Sequence, residues 1–317
     1  MINSLIRNFN KLITASRGLD FEYLLNLIFV HLKYKSGVDM RDALIHPKLA
    51  FCERHFSHLL NKYKHHDFTN FKNSGPVWIC WLQGEENMPQ VAKVCYEQLK
   101  RVVPKDKKVI LITWENLSQY TDIPDYIIEK LKKGYMSYTH FSDVIRFSLL
   151  ANHGGLWVDS TVYISSSIPE YVFEKPYFSV NTEFDAETDY RYNGINRCMW
   201  KCFILGAAPG STWFSCAKDI IYEHWKNCNF LLDYLMVDYI LVTVHDKIPQ
   251  VRRLLQGCVE PAPHIYLIEK IANEPYEESR FKKICSDCRW FKLSYKIPFK
   301  KHTAAGVLTY FGHLMDN

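Results

Sequence analysis

HFSDVIRFSLLANHGGLWVDSTVYIS, residues 140–165, divides into a helix, a two-glycine break and a strand. Phe141, Ile145 and Leu149 recur at helical spacing and predict a helix over 141–152, which Gly154 ends. Leu156, Trp157 and Val158 then open an apolar strand, expected over 156–163, in which a lone carboxylate arrives at Asp159 beside Ser160 and Thr161. Asp143 and Arg146 stand i, i+3 on the preceding helix and can meet each other. If they face solvent they make a surface ion pair. If they face a cleft, an acceptor-only carboxylate and a multi-donor guanidinium suit hydroxyls and phosphate.

Working outward, the same alternation continues on the N-terminal side. VWICWL, 77–82, reads as a buried strand ending in Gln83 and Gly84, and 88–102 as a helix with Val91, Cys95, Leu99 and Val102 on one stripe. KVILITW, 108–114, is a second apolar strand; Pro124 opens a short helix that Gly134 stops. Strands alternating with helices predict an α/β fold with a mostly parallel central sheet covered on both faces. Ligands bind beyond the carboxyl ends of such strands, where Gln83-Gly84, Trp114-Glu115 and Asp159-Ser160 all fall.

Residues 1–72 read as helices, over 21–34 and 47–64, and the turn-rich TNFKNSGP precedes the change of pattern. The expected division is an N-terminal helical extension, 1–72, and an α/β domain, 73–317. After Ser165 the expected elements are a strand in EKPYFSVNTEF, helices in STWFSCAKDIIYEHWKNC and FLLDYLMVDYILVTVH, and a tail mixing a strand, basic residues and a last apolar segment.

Composition excludes several classes. With 317 residues, 48% of them hydrophobic, the chain can bury a sizeable core. A formal charge of +5 is too mild for a dedicated nucleic-acid binder, yet it suits anionic partners. The 10 cysteines include a single C-x-x-C, Cys285–Cys288, without a second pair at zinc-ribbon spacing, so free thiols are expected. The N-terminal residues lack the apolar run of a secretory signal. FEYLLNLIFVHL, 21–32, is too short to span a bilayer, but its apolar face followed by Lys33 and Lys35 reads either as core packing or as a membrane-surface helix. The expected location is the cytoplasm, with peripheral contact at the inner face of the membrane. Dinucleotide, Walker A, zincin and α/β-hydrolase signatures are absent.

What remains is the carboxylate at Asp159. A carboxylate at a strand end can hold Mg²⁺ or Mn²⁺ together with substrate phosphates, or it can simply cap a turn. The order WICWLQGEENMPQVAKVC, then DIPDYIIEKLKKGYMSYTHFSDVIRFSLLANHGGLWVDSTVY, then FKLSYK resembles the capsular polysaccharide synthesis glycosyltransferases of bacteria over roughly residues 75–300. These are similar to the retaining sugar transferases that include yeast initiating mannosyltransferases and clostridial glucosylating toxins. The most specific piece is S-D-x-x-R followed by G-G-h-x-h-D.

The resemblance implies a GT-A-type fold, a nucleotide-sugar donor (UDP-sugar foremost), divalent Mn²⁺ or Mg²⁺, and a lipid-linked oligosaccharide or polysaccharide acceptor. It implies donor contacts at Ser142, Asp143 and Arg146, metal ligation at Asp159 and Thr161, and base stacking at Trp81, with Gln83 and Gly84 beside it. Thr161 departs from the wider pattern, which has a second aspartate there. LLDYLMVDYIL resembles an acceptor-side segment, making Asp233, Tyr234 and above all Asp238 candidates, and KLSYK resembles a motif over the diphosphate that would use Lys292, Ser294 and Lys296. A non-catalytic nucleotide-sugar-binding scaffold is the alternative that Thr161 keeps open. A sugar-nucleotidyltransferase is a further one, although the acidic QGEENMPQ lacks the basic phosphate loop it needs.

Overall fold

A computed structural model describes residues 38–66, 68, 72–182 and 194–316, together with 25, 29, 30 and 33. In chain order the elements are α1 (Val38–His55), α2 (Ser57–Lys64), β1 (Val77–Cys80), α3 (Gln90–Val102), β2 (Val109–Ile112), α4 (Leu117–Tyr120), α5 (Asp125–Lys132) and α6 (Tyr138–Asn152). Next come β3 (Gly155–Val158), β4 (Val162–Ile164), α7 (Tyr171–Glu174), β5 (Tyr177–Asn181), β6 (Ile204–Ala207), α8 (Thr212–Asn227) and α9 (Met236–Lys247). The chain closes with α10 (Pro249–Leu255), β7 (Val259–Pro261), α11 (Leu267–Ile271), α12 (Glu278–Asp287), β8 (Trp290–Lys292) and α13 (Tyr310–Asp316).

The central sheet has 6 strands in the order β2-β1-β3-β6-β5-β7. β6 pairs antiparallel with both β3 and β5 while the other pairs are parallel, so β6 alone runs against the rest. Alternate side chains sort to the two faces as strand geometry requires. Trp78, Trp157, Tyr177 and Leu205 pack with helices α6, α8 and α9 and with Phe51, Phe56 and Leu60 of the N-terminal segment. Val77, Ile79, Leu156, Val158 and Phe178 pack on the opposite face with α3, β4, β8 and α13. Both faces are therefore dry, which is why these strands read as continuous apolar runs.

The strand expected over 156–163 is two strands in two sheets. β3 stays in the central sheet, whereas β4 pairs antiparallel with β8, with Val162 opposite Lys292. The chain turns between them: the Asp159 N–H donates to Phe203 O at 3.0 Å and the Val162 N–H donates to Asp159 O at 3.0 Å. Asp159, Ser160 and Thr161 thus form the corner where the chain leaves one sheet for the other. The two glycines ahead of β3 adopt positive φ, +64° at Gly154 and +96° at Gly155. A Cβ at Gly155 would lie 2.2 Å from Pro76 O, so glycine permits the close approach of β1 and β3.

Other boundaries also move. α1 starts at Val38 and runs through Pro47, so the proline marks a missing N–H inside the helix and not its beginning. α9 begins at Met236, which leaves Asp233 and Tyr234 in the preceding loop. The amphipathic helix expected over 21–34 falls largely outside the described residues. Among those described, no helix is long and apolar enough to cross a membrane.

Candidate active site

α6 starts on Ser137, whose Oγ accepts from the His140 N–H, and its buried face carries Asp143 and Arg146 inward. Arg146 is only 4% exposed. Its Nη1 donates to Asp143 Oδ1 at 2.8 Å and its Nη2 to Asp159 Oδ1 at 3.0 Å. The guanidinium lies over the Trp157 ring, 4.9 Å from its centroid, and the Trp157 Nε1–H donates to the same Asp159 oxygen at 2.8 Å. From the other side Lys292 Nζ donates to Asp159 Oδ2 at 3.1 Å and to Thr161 Oγ1 at 2.6 Å. The result is an alternating chain of charge, Asp143–Arg146–Asp159–Lys292, with its middle members fixed by two bonds or more. Arg146 Nε is buried with no acceptor among the described residues. The surface-pair reading of Asp143 and Arg146 is thereby excluded.

The two carboxylates are driven apart. Burial opposes charge on Asp159, but Lys292 and Arg146 outweigh it and hold the carboxyl down at about 2. Burial dominates at Asp143 and raises it to about 7: Arg146 counteracts this, while the nearby Asp159 and Asp238 reinforce it. One carboxylate is thus permanently charged, and the other titrates near neutrality.

Trp81 follows β1, half-buried, with its Nε1–H on Asn87 O at 3.1 Å and its ring edge-on to Tyr295 at 5.9 Å. Gln83 is exposed, and Gly84 has φ +89° at the entry to a short turn. Ser142 Oγ donates back to Thr139 O of its own helix at 2.7 Å. Lys296 is exposed, and its N–H donates to Ser294 Oγ at 3.2 Å, so of KLSYK only Lys292 reaches the charged chain.

Asp238, in the first turn of α9, is buried. Its Oδ1 accepts from Asn196 Nδ2 at 2.9 Å, Trp200 Nε1 at 3.1 Å and Cys202 Sγ at 3.0 Å, and burial raises its pKa. Asp233 is ion-paired to Lys48 of α1, and Tyr234 is exposed, edge-on to His140. Sequence reasoning missed Trp157, which the period of two places on the same side of β3 as Asp159. It also missed Asn196, Trp200 and Cys202, which sit in a loop without periodicity and left no signal.

Asp159 and Thr161, the expected metal ligands, do come together, but their donor set does not fit a divalent ion. Asp159 is the single carboxylate at the corner, Arg146, Trp157 and Lys292 already occupy its two oxygens, and Lys292 also occupies Thr161. Among the described residues no three His, Cys, Asp or Glu side chains group as a metal site, Cys285 and Cys288 included, and all 10 cysteines are free. An octahedral oxygen shell needs more than this corner offers.

The family described as capsular polysaccharide synthesis protein matches residues 35–314, nearly the whole chain. The chain belongs to that family. This capsular polysaccharide synthesis protein has the mixed α/β architecture expected, a mostly parallel sheet between two helical layers. Solved structures similar to it include the PaToxG glycosyltransferase, at 12% identity over 76% of this chain and 94% of that one, with a TM-score of 0.41. Another is the bifunctional glycosyltransferase WbbM in its apo form, at 10% identity, 79% and 51% coverage and a TM-score of 0.42, so this chain spans about half of WbbM. Both likenesses are too distant to transfer a residue's role. No curated protein matches the chain in sequence.

Proposed function

We propose that this protein moves a sugar from a UDP-sugar, with retention of configuration, onto a lipid-linked capsular polysaccharide precursor at the cytoplasmic face of the membrane. The observation that carries the reading is the charge chain Asp143–Arg146–Asp159–Lys292, buried at Asp143 and Arg146 and half-buried at Asp159 and Lys292, beyond the carboxyl end of β3, with the Trp81 ring beyond the carboxyl end of the neighbouring β1. Glycosyl transfer needs fixed positive charge where a diphosphate leaves and hydrogen-bond acceptors where sugar hydroxyls must be held. Arg146 and Lys292 supply the first. Asp143, titrating near neutrality, supplies the second and stays within reach of a proton at working pH.

Asp238 acts through residues 196–202, which its three hydrogen bonds fix against α9, and positions that wall for the acceptor. Lys62, Lys64 and His65 face outward at the end of α2 and suit an anionic membrane surface carrying the acceptor. Residues 1–72 serve in this reading as the membrane-facing extension of the catalytic domain.

Calorimetric titration with UDP, GDP and CDP tests the donor assignment, and UDP is expected to bind tightest. Stacking on an aromatic ring is worth roughly 1–3 kcal/mol per base, so Trp81→Ala should weaken UDP about five- to 150-fold. Unchanged UDP affinity in a folded Trp81→Ala protein would assign Trp81 to packing alone and remove it from the donor site.

A further inference from the structure

We infer that Lys292 is a built-in substitute for the divalent ion at the Asp159–Thr161 corner, so that this enzyme binds its nucleoside diphosphate without metal. The inference rests on the donor reading above and specifies how that site meets the diphosphate. Its position is fixed by backbone. Lys292 stands opposite Val162 in the β4–β8 pair, its N–H donates to Ile265 O at 2.7 Å, and the next N–H, of Leu293, donates to Thr161 O at 2.8 Å. The side chain leaves this anchored point past the Phe203 ring, 5.1 Å away, and its ammonium lands on the very two oxygens expected to ligate a metal.

The replacement conserves charge. A pair of aspartates around a dication sums to zero, and so does Asp159 with the Lys292 ammonium once Thr161 takes the second aspartate's place. The exchange of Asp for Thr and of dication for lysine therefore belong together. A dication placed on Asp159 Oδ2 and Thr161 Oγ1 would stand against the ammonium and meet no second carboxylate. An ammonium has three N–H donors. Two go to Asp159 and Thr161, and Lys292 has no further protein acceptor among the described residues, so one donor is left for a phosphate oxygen. Lys292 remains 22% exposed, enough for a ligand to reach it. Arg146 Nε, buried on the other side of Asp159 without an acceptor among the described residues, marks a second unfilled donor at the same site.

The test is calorimetric titration of UDP and of uridine into the wild type, Lys292→Met and Lys292→Arg, each in EDTA and in Mn²⁺. The wild type should bind UDP equally well, within about twofold, in both conditions. A hydrogen bond to a charged group contributes about 1.5–3 kcal/mol, so Lys292→Met should lose about 10- to 150-fold in UDP affinity in EDTA. Uridine affinity should not change, and Lys292→Arg should retain most of the UDP affinity. Wild-type UDP binding that appears only with Mn²⁺ overturns this inference and leaves the donor reading standing. Unchanged UDP affinity in Lys292→Met also overturns it. Failure of UDP to bind the wild type in either condition overturns the donor reading and this inference with it. The wild-type comparison needs no substitution, so it decides the matter even if Lys292→Met does not fold.

Discussion

Arg146 is itself almost closed to water and is shared by two carboxylates, each of which depends on it differently. Replacing it with Met keeps much of the volume but leaves Asp143 and Asp159 facing a vanished charge, a situation that costs about 3–5 kcal/mol when one member of a buried pair is removed. Asp143→Asn is the milder change, because an amide oxygen still accepts from Arg146 Nη1 and the burial penalty on the charge disappears. Urea denaturation should therefore show Arg146→Met destabilised by several kcal/mol, with Asp143→Asn within about 1 kcal/mol of the wild type at neutral pH. Equal losses in the two variants would mean that Arg146 contributes packing and little charge. Glycosyl transfer should fall in both, since each removes a group assigned to the donor.

At the scale of elements, the corner between β3 and β4 depends on the glycines before it. Gly155→Ala would bring a Cβ to 2.2 Å from Pro76 O at φ +96°, so β1 and β3 must separate and the Asp159 corner must shift. Gly134→Ala shares the positive φ, +74°, but meets nothing within 4 Å. The left-handed conformation alone costs about 1–2 kcal/mol, which is the loss expected of Gly134→Ala; Gly155→Ala should exceed it and also abolish donor binding. Similar losses in the two, measured by chemical denaturation, would refute a requirement for close approach. The helix-break-strand reading of these residues was legible because hydrophobic periodicity and glycine punctuation are local properties. The split of the strand was not, since Val162, Tyr163 and Ile164 stay apolar whether they continue β3 or pair with β8. That pairing brings Lys292 to Asp159 from 133 positions away, and no local pattern encodes it. The charge chain was therefore visible as Asp143, Arg146 and Asp159, while the occupant of the expected metal position required the fold.

Across the whole molecule, two buried groups on neighbouring packed helices set opposing pH dependences. His224 of α8 is fully buried, with Nε2 on Phe230 O at 2.8 Å; burial, with His55 and Lys130 nearby, lowers its pKa to about 4. The folded state then binds fewer protons than the unfolded chain between that value and the ordinary histidine value of 6.5, so this group makes stability rise with pH across that range, and its contribution is lost as pH falls through about 4. Asp143 has the opposite sign. Its folded pKa of about 7 lies above the ordinary aspartate value of 3.8, so the folded state binds the extra proton and stability falls as pH rises between the two. Displacements of this size correspond to a few kcal/mol each, and their windows overlap from about pH 4 to 6.5, so the two contributions oppose each other there. Asp143→Asn removes the falling contribution and should melt progressively higher from about pH 4.5 to 6.5. His224→Gln removes the rising one and should tilt the other way. Differential scanning calorimetry of the three proteins over that range is the measurement. Parallel profiles would show that neither group changes its proton occupancy on folding, and with that the near-neutral titration assigned to Asp143 in the active site would fall.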